Sequence, residues 1–123
     1  QPHAVSSVTG KVCFIKGFNY ASKIDHRGDL VPSMKIDDMS LNPTIIKIHT
    51  EGSEHEILVG GLYKINHSRP IVMATIYHNF LGLSETLELL MKNLIDYNFL
   101  FRLHSWCATS AVIYCIPKKE SKP

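Results

Sequence analysis

The sequence alternates between short β-rich runs and segments with helical periodicity, and this alternation constrains the fold more than any other feature. Residues 44–49 (TIIKIH) are rich in β-branched side chains, and residues 71–77 (IVMATIY) are nearly continuous in apolar ones. A continuous apolar run is typical of a strand covered on both faces. The short crossover between the two runs therefore predicts adjacent parallel strands, with residues 71–77 at the centre of a sheet.

Two helices are predicted beside these strands. Ser53 and Glu56 have the S-x-x-E spacing of a capping box, and a Gly60–Gly61 pair follows, which predicts a helix of about two turns. In residues 84–97, leucine and other apolar side chains recur every three or four positions. That period predicts a longer helix with one face packed on the sheet.

The remaining segments complete an α/β pattern. Residues 99–104 and 111–116 have strand composition and are separated by a polar loop, which predicts a closing hairpin whose last strand is antiparallel. Upstream, residues 11–15 are a candidate edge strand, whereas the polar residues 25–38 are expected to be loop or irregular. The polar tail 118–123 is expected to be disordered.

Composition and charge exclude several function classes. A formal charge of +2 and dispersed Lys and Arg argue against nucleic acid as a partner. The sequence has neither an apolar run of the roughly 20 residues that a spanning helix needs nor the layout of a signal peptide, so we expect no membrane partner and a cytoplasmic protein.

Cys13, Cys107 and Cys115 lack C-x-x-C spacing and are expected to be packing residues.

Polar side chains follow the two predicted parallel strands at the point where each strand ends. His49 and Glu51 come after the first strand, and His78 and Asn79 after the second. Ligands of open α/β sheets bind at the carboxyl ends of the strands, so these side chains are site candidates. Histidine exchanges protons near neutral pH, and a nearby glutamate can orient its ring. The alternative is that each histidine is a strand-end residue hydrogen-bonded to a loop.

A metal site is a weaker hypothesis. His49, His78 and His104 are all predicted at strand ends, and imidazole is a common zinc ligand. None of the close spacings that make zinc motifs specific occurs in the sequence. We therefore predict no metal ligands.

Several ordered segments together resemble FkbM-type methyltransferases. The segments IDD at 36–38, TIIKIHTEGSE at 44–54 and ILVGG at 57–61 are similar to the family's L-D-D, I-K-x-D-x-E-G-x-E and L-x-G motifs. The likeness continues through RPI at 69–71, IYHN at 76–79, FRLHS at 101–105 and VIY at 112–114. Together these matches cover most of the chain.

The resemblance implies the C-terminal half of a Rossmann-like class I methyltransferase sheet with its last strand antiparallel. It implies S-adenosylmethionine as the methyl donor and a small-molecule acceptor, a hydroxyl of a sugar or natural product. Residues 1–117 would form a partial methyltransferase domain without the N-terminal glycine-rich cofactor loop, so cofactor-binding residues stay unassigned. If the chain is part of an enzyme, we expect the catalytic residues to be His49, Glu51 and His78 and the substrate-binding residues to be Asn79, Arg102 and His104.

Three positions depart from the family pattern and leave a second hypothesis open. His49 stands where the family has an aspartate, Leu103 replaces the first histidine of R-H-x-S, and Ser110 stands where a glutamate is common. The alternative is a catalytically silent α/β module for binding or assembly. A parallel sheet cut near its middle would expose an apolar edge. We expect the chain to be part of a longer polypeptide, the alternative being a homo-oligomer formed through that edge.

Overall fold

The N-terminal part of the chain forms a small four-stranded sheet. The computed structural model describes residues 3–17, 22–106 and 110–119. Within them, β2 is antiparallel to both β3 and β4, and the short β1 is parallel to β4. The strand order is β1-β4-β2-β3. The four strands are β1 (Ala4–Val5), β2 (Gly10–Ile15), β3 (Lys23–Ile24) and β4 (Asp29–Met34).

The second sheet, here called the C-terminal sheet, contains the predicted parallel pair. Its strands are β5 (Ile45–Ile48), β6 (Ile71–Thr75), β7 (Tyr97–Leu103) and β8 (Ala111–Pro117). Their order is β5-β6-β8-β7. Strands β5 and β6 are parallel, and β8 is antiparallel to both of its neighbours. The predictions of adjacent parallel strands, a central strand at 71–77 and a closing hairpin are therefore confirmed.

Three α-helices cover one face of the C-terminal sheet. They are α1 (Glu54–Val59), α2 (Leu62–Ser68) and α3 (Phe80–Asn93). In the ranges that the structure describes, no helix is both long and apolar enough to cross a membrane. Each helix contributes a fully buried side chain to one core cluster with both central strands, and the cluster includes Leu58, Ile65, Leu90, Val72, Ala74, Ile113 and Cys115.

Two cysteines lie within the described residues, and both are free thiols. Cys115 is fully buried between the sheet and the helices, and burial raises the pKa of its thiol to about 12. Cys13 lies half-buried in β2. The third cysteine, Cys107, lies outside the described residues. The prediction of a packing role is confirmed for Cys115.

The prediction that residues 25–38 are loop or irregular is wrong for the middle of this segment. Strand β4 occupies that segment and pairs with β2, with Val31 opposite Val12 and Pro32 opposite Lys11. The hydroxyl of Ser33 is buried and donates to the carbonyl of Val8 at 2.9 Å. Cross-strand pairing overrides the local preference of a polar segment that contains glycine and proline.

The helix bounds also differ from those predicted. Ser53 precedes α1 but makes no capping hydrogen bond, and α2 was not predicted. The long helix begins at Phe80, four residues before the predicted start, because the Asn79 side chain accepts from the backbone N–H of Gly82. It ends at Asn93 rather than 97. Capping decided these bounds, whereas the apolar period located only the middle of the helix.

Strand β5 forms one edge of the C-terminal sheet and leaves that edge unpaired within the described residues. Ile45, at its start, is 58% exposed. The expectation of an exposed apolar edge thus agrees with the position of β5. Most of the predicted disordered tail, residues 120–123, lies outside the described residues.

Candidate functional site

The carboxyl ends of β5 and β6 bring three of the predicted site residues together. The rings of His49 and His78 have centroids 5.4 Å apart. The Nε2 atom of His78 lies 4.0 Å from Oε2 of Glu51. Parallel strands end at the same edge of a sheet, which explains why residues almost 30 positions apart in sequence meet here.

A buried glutamate that was not among the predicted site residues organises this cluster. Glu54 is 5% exposed and is the first residue of α1. Its Oε1 atom accepts from the backbone N–H of Thr50 at 3.0 Å and from the hydroxyl of Thr75 at 2.8 Å. The same atom lies 2.5 Å from Nδ1 of His78. Glu54 therefore joins the ends of β5 and β6 to α1. The sequence signal for it was the final glutamate of the matched E-G-x-E motif.

His78 is held by carboxylates on both sides of its ring. Its Nδ1 atom bonds to Glu54 and its Nε2 atom faces Glu51, while the side chain is 9% exposed. Because a carboxylate only accepts hydrogen bonds, Nδ1 carries the proton in the bond to Glu54. The ring also packs against Tyr77, with centroids 4.2 Å apart. These contacts fix the orientation of His78 and leave little of its surface open to a substrate.

A large cavity, here called the edge groove, lies beside β5. It has a volume of about 510 Å³ and is lined by residues of both sheets. His78 is not among the described residues that line it. The polar side chains of its lining are those of Ser22, Lys23, Lys47, His49, Thr50, Glu51, Ser53 and Lys64. Its apolar wall includes Val5, Phe14, Ile24, Ile36, Met39 and Ile48.

A second cavity, here called the face pocket, lies on the face of the C-terminal sheet opposite the helices. It has a volume of about 280 Å³. Side chains alternate between the two faces of a sheet, so Lys47, Met73 and Tyr114, which stand opposite one another on three strands, point to this face. The described residues that line it are Lys47, Ile48, His49, Met73, Thr75, Tyr77, His104, Ser110, Val112 and Tyr114.

His49 lines both cavities. It follows β5 directly and its side chain is exposed. Its Nε2 atom lies 3.3 Å from the hydroxyl of Tyr77, which lines the face pocket. Lys47 also lines both cavities, so His49 and Lys47 are the titratable side chains that the two cavities share among the described residues.

The three predicted substrate-binding residues lie in different environments. His104 lines the face pocket, where its Nε2 atom bonds to the hydroxyl of Tyr114 at 2.9 Å. Asn79 caps α3, and its side-chain amide donates to the carbonyl of Gly52 at 3.2 Å. Arg102 is exposed on β7 and donates to the carbonyl of Phe101. Of these residues, His104 alone is among the described residues that line either cavity.

The edge groove offers part of the surroundings that S-adenosylmethionine needs. The hydroxyl oxygen of Thr50 is buried in the groove wall and has no hydrogen-bond partner in the described ranges. The Glu51 carboxylate also lines the groove and can accept hydrogen bonds from hydroxyl or ammonium groups. A glycine-rich turn, which lets backbone N–H groups approach a carboxylate closely, has no counterpart in the sequence. The residues present therefore fit one side of the cofactor.

Metal ligation has no support in the geometry. The described residues contain no group of three or more His, Cys, Asp or Glu side chains placed to hold a metal ion. His49 and His78 are close, whereas His104 bonds to Tyr114 on the other side of the face pocket.

The chain has an α/β fold that is similar to the fold of a methyltransferase. Among solved structures, methyltransferase FkbM from Methylobacillus flagellatus KT is similar, with 24% identity, 86% of this chain covered and a TM-score of 0.64. The likeness to FkbM-type methyltransferases is thereby confirmed for the fold. This chain covers 26% of that protein's length. Neither a family model nor a curated protein matches the sequence.

Proposed function

We propose that this chain is the acceptor-side part of an S-adenosylmethionine-dependent methyltransferase. The reaction is methyl transfer to a hydroxyl oxygen of a sugar or natural product. The observation that carries the proposal is the position of His49, which lines both the edge groove and the face pocket. The strand order β5-β6-β8-β7 with β8 reversed supports it, because the C-terminal half of a Rossmann-like methyltransferase sheet would have a reversed last strand.

In this proposal the cofactor and the acceptor bind in different cavities. Thr50 and Glu51 line the edge groove and would hold polar atoms of S-adenosylmethionine there, and the cofactor would supply an electrophilic methyl group. The acceptor occupies the face pocket with its reactive hydroxyl directed to His49. Because the two cavities meet at His49, the acceptor oxygen and the methyl group would approach each other directly beside this side chain, and such alignment supplies much of the rate enhancement.

His49 is the general base in this proposal. Its exposed imidazole would accept the proton of the acceptor hydroxyl while the oxygen takes the methyl group, the sulfur–methyl bond of the cofactor breaks and S-adenosylhomocysteine leaves. The hydroxyl of Tyr77, 3.3 Å from Nε2, orients the ring. A histidine replaces the family's aspartate at this position, so the site keeps a group that can accept a proton.

The buried cluster behind His49 has a positioning role. Glu54 and His78 join the ends of β5 and β6, and Glu51 faces the second ring nitrogen of His78. The cluster therefore fixes the backbone from which the His49 side chain projects. We assign His78 to positioning because both ring nitrogens face carboxylates.

The test uses the polypeptide that carries this chain. Calorimetry measures binding of S-adenosylhomocysteine, and a radiolabelled methyl donor measures transfer to a panel of sugars and hydroxylated natural products. His49→Ala should lower turnover by a factor of about 100 or more, because a general base typically contributes about 10²–10⁴ to the rate. The control is His26→Ala, because His26 is exposed on the N-terminal sheet side and its ring is 89% accessible. Equal losses in both variants, or full turnover in His49→Ala, would contradict the assignment.

A silent binding or assembly module is the second candidate. The observation that favours it is that His78 and the Asn79 amide are engaged in internal contacts rather than open to a ligand. In that case the complete polypeptide would be folded and would bind neither S-adenosylmethionine nor S-adenosylhomocysteine. The same calorimetric titration separates the two candidates.

A further inference from the structure

The face pocket has an unusual balance of polar groups. Lys47, His49, Tyr77, His104 and Tyr114 all line it, and Thr75 and Ser110 add two hydroxyls. Among the described residues that line it there is no Asp or Glu, although the chain as a whole has 11 acidic residues against 13 Lys and Arg. The pocket therefore concentrates hydrogen-bond donors and one full positive charge without a balancing carboxylate.

Lys47 is available to bind a ligand. Its side chain is exposed on the open face of β5, and it takes part in no ion pair within the part of the chain that the structure describes. By contrast, Lys23, Lys35 and Lys92 each pair with a carboxylate. An ammonium group at a pocket wall without a protein partner attracts an anionic group of a ligand.

The opposite side of the pocket offers neutral hydrogen-bonding groups. Lys47 and Tyr114 stand on either side of Met73, which places them two strand spacings, or about 10 Å, apart across the sheet. The Tyr114 hydroxyl is tied to Nε2 of His104, so its orientation is set. This distance suits one sugar-sized ring with a charged substituent at the Lys47 side and hydroxyls at the Tyr114 side.

We propose that the face pocket binds an acceptor that is an anionic polyhydroxylated ring, and that Lys47 contacts its carboxylate or phosphate group. His104 and Tyr114 contact hydroxyls at the far side, and the Tyr77 ring provides an apolar wall. This inference rests on the proposed function, since it identifies the chemical class of the acceptor. It makes Lys47 the residue that selects charged acceptors over neutral ones.

The experiment compares three probes on the polypeptide that carries this chain. These are a methyl glycoside of a uronic acid, a sugar phosphate and the matching neutral methyl glycoside, each titrated by calorimetry at low salt. We expect at least one anionic probe to bind 10-fold or more tightly than the neutral one, and the stronger of the two identifies the anion. The preference should fall at high salt because the ionic contact is exposed. Equal affinities for all three probes, or no binding of any, would overturn the proposal.

Two variants isolate the charge of Lys47. Lys47→Met keeps the chain length and the apolar stem but removes the ammonium group, so the anionic preference should disappear while the affinity for the neutral glycoside is retained. Lys11→Met is the control, because Lys11 is an exposed strand lysine of the N-terminal sheet. Circular dichroism verifies that both variants are folded. An anionic preference that persists in Lys47→Met would refute the assignment.

A failure of the methyltransferase proposal and a failure of the acceptor-class proposal would give different results in these experiments. Binding of S-adenosylhomocysteine is measured in the same samples and depends on the edge groove. If the anionic preference and its loss in Lys47→Met are observed without cofactor binding, the pocket assignment holds and the methyltransferase proposal fails. If the cofactor binds but no anionic preference is seen, the methyltransferase proposal holds and the acceptor class is wrong.

Discussion

The Nδ1 atom of His78 lies 2.5 Å from Oε1 of Glu54, and both side chains are almost completely buried. His78 lies shortly after the end of β6, and Glu54 is the first residue of α1, so this contact joins β6 to α1. The same oxygen also accepts from Thr50 and Thr75. Strand pairing sets the register of β5 and β6, and this single carboxylate oxygen links the segments that follow them, which include His49.

Removing the His78 ring should affect stability more than chemistry. In His78→Ala, the buried Glu54 carboxylate loses one of its partners, which should lower the free energy of unfolding by about 1–3 kcal/mol. Turnover of the complete polypeptide should fall less than in His49→Ala. Thermal unfolding and methyl-transfer rates measure the two effects. A rate loss of about 100-fold in His78→Ala with unchanged stability would instead make His78 the general base.

Asn79 should stabilise the folded protein by capping α3. Asn79→Ala removes the acceptor for the N–H of Gly82 and the bond to the carbonyl of Gly52, so we expect a loss of about 1 kcal/mol in unfolding free energy. Asn79→Asp keeps the capping oxygen and should recover most of that loss. Chemical denaturation of the three proteins tests this. A fully stable Asn79→Ala variant with weakened acceptor binding would point to direct substrate contact instead.

Cys115 should be unreactive in the folded protein. Burial raises the pKa of its thiol to about 12, so at pH 8 it stays protonated, and alkylation requires the thiolate. Mass spectrometry after iodoacetamide treatment at pH 8 should show an unmodified residue 115 in native conditions and a modified one in denaturant. Folding disfavours the thiolate form of Cys115. The free energy of unfolding should therefore fall at strongly alkaline pH. Rapid native labelling at pH 8 would show that this part of the core opens.

The 123-residue chain by itself should not bind S-adenosylmethionine at micromolar concentrations. Thr50 and Glu51 contact one end of the edge groove, and the sequence has no glycine-rich turn to enclose the rest of the cofactor. Binding to a site that surrounds one side of a ligand buries less of its surface than a complete pocket does. Calorimetric titration of the 123-residue chain with S-adenosylmethionine tests the prediction. A clear micromolar isotherm for the chain alone would contradict it.

The sequence by itself determined the layout of the C-terminal sheet. The continuous apolar run at 71–77 and the β-branched run at 44–49 predicted adjacent parallel strands, and the polar loop after residue 104 predicted the hairpin with β8. These features depend on local composition and on short connections, which sequence patterns record directly. The ordered motifs from residues 36 to 61 likewise predicted the FkbM-type fold that the structural comparison confirms.

The tertiary structure alone decided how individual side chains are used. Strand β4 forms in a segment of loop-like composition because β2 pairs with it, and a sequence does not state its pairing partners. Glu54 lies inside the cluster, and His49 lies between two cavities, because α1 and the strand ends converge in space. Lys47 lines the face pocket because side chains alternate between the two faces of β5. The pocket also needs the neighbouring strand β6, which comes from a distant part of the chain. Burial and hydrogen bonding across such long sequence separations arise only when the chain is packed, which is why local patterns could name the candidate residues but not their contacts.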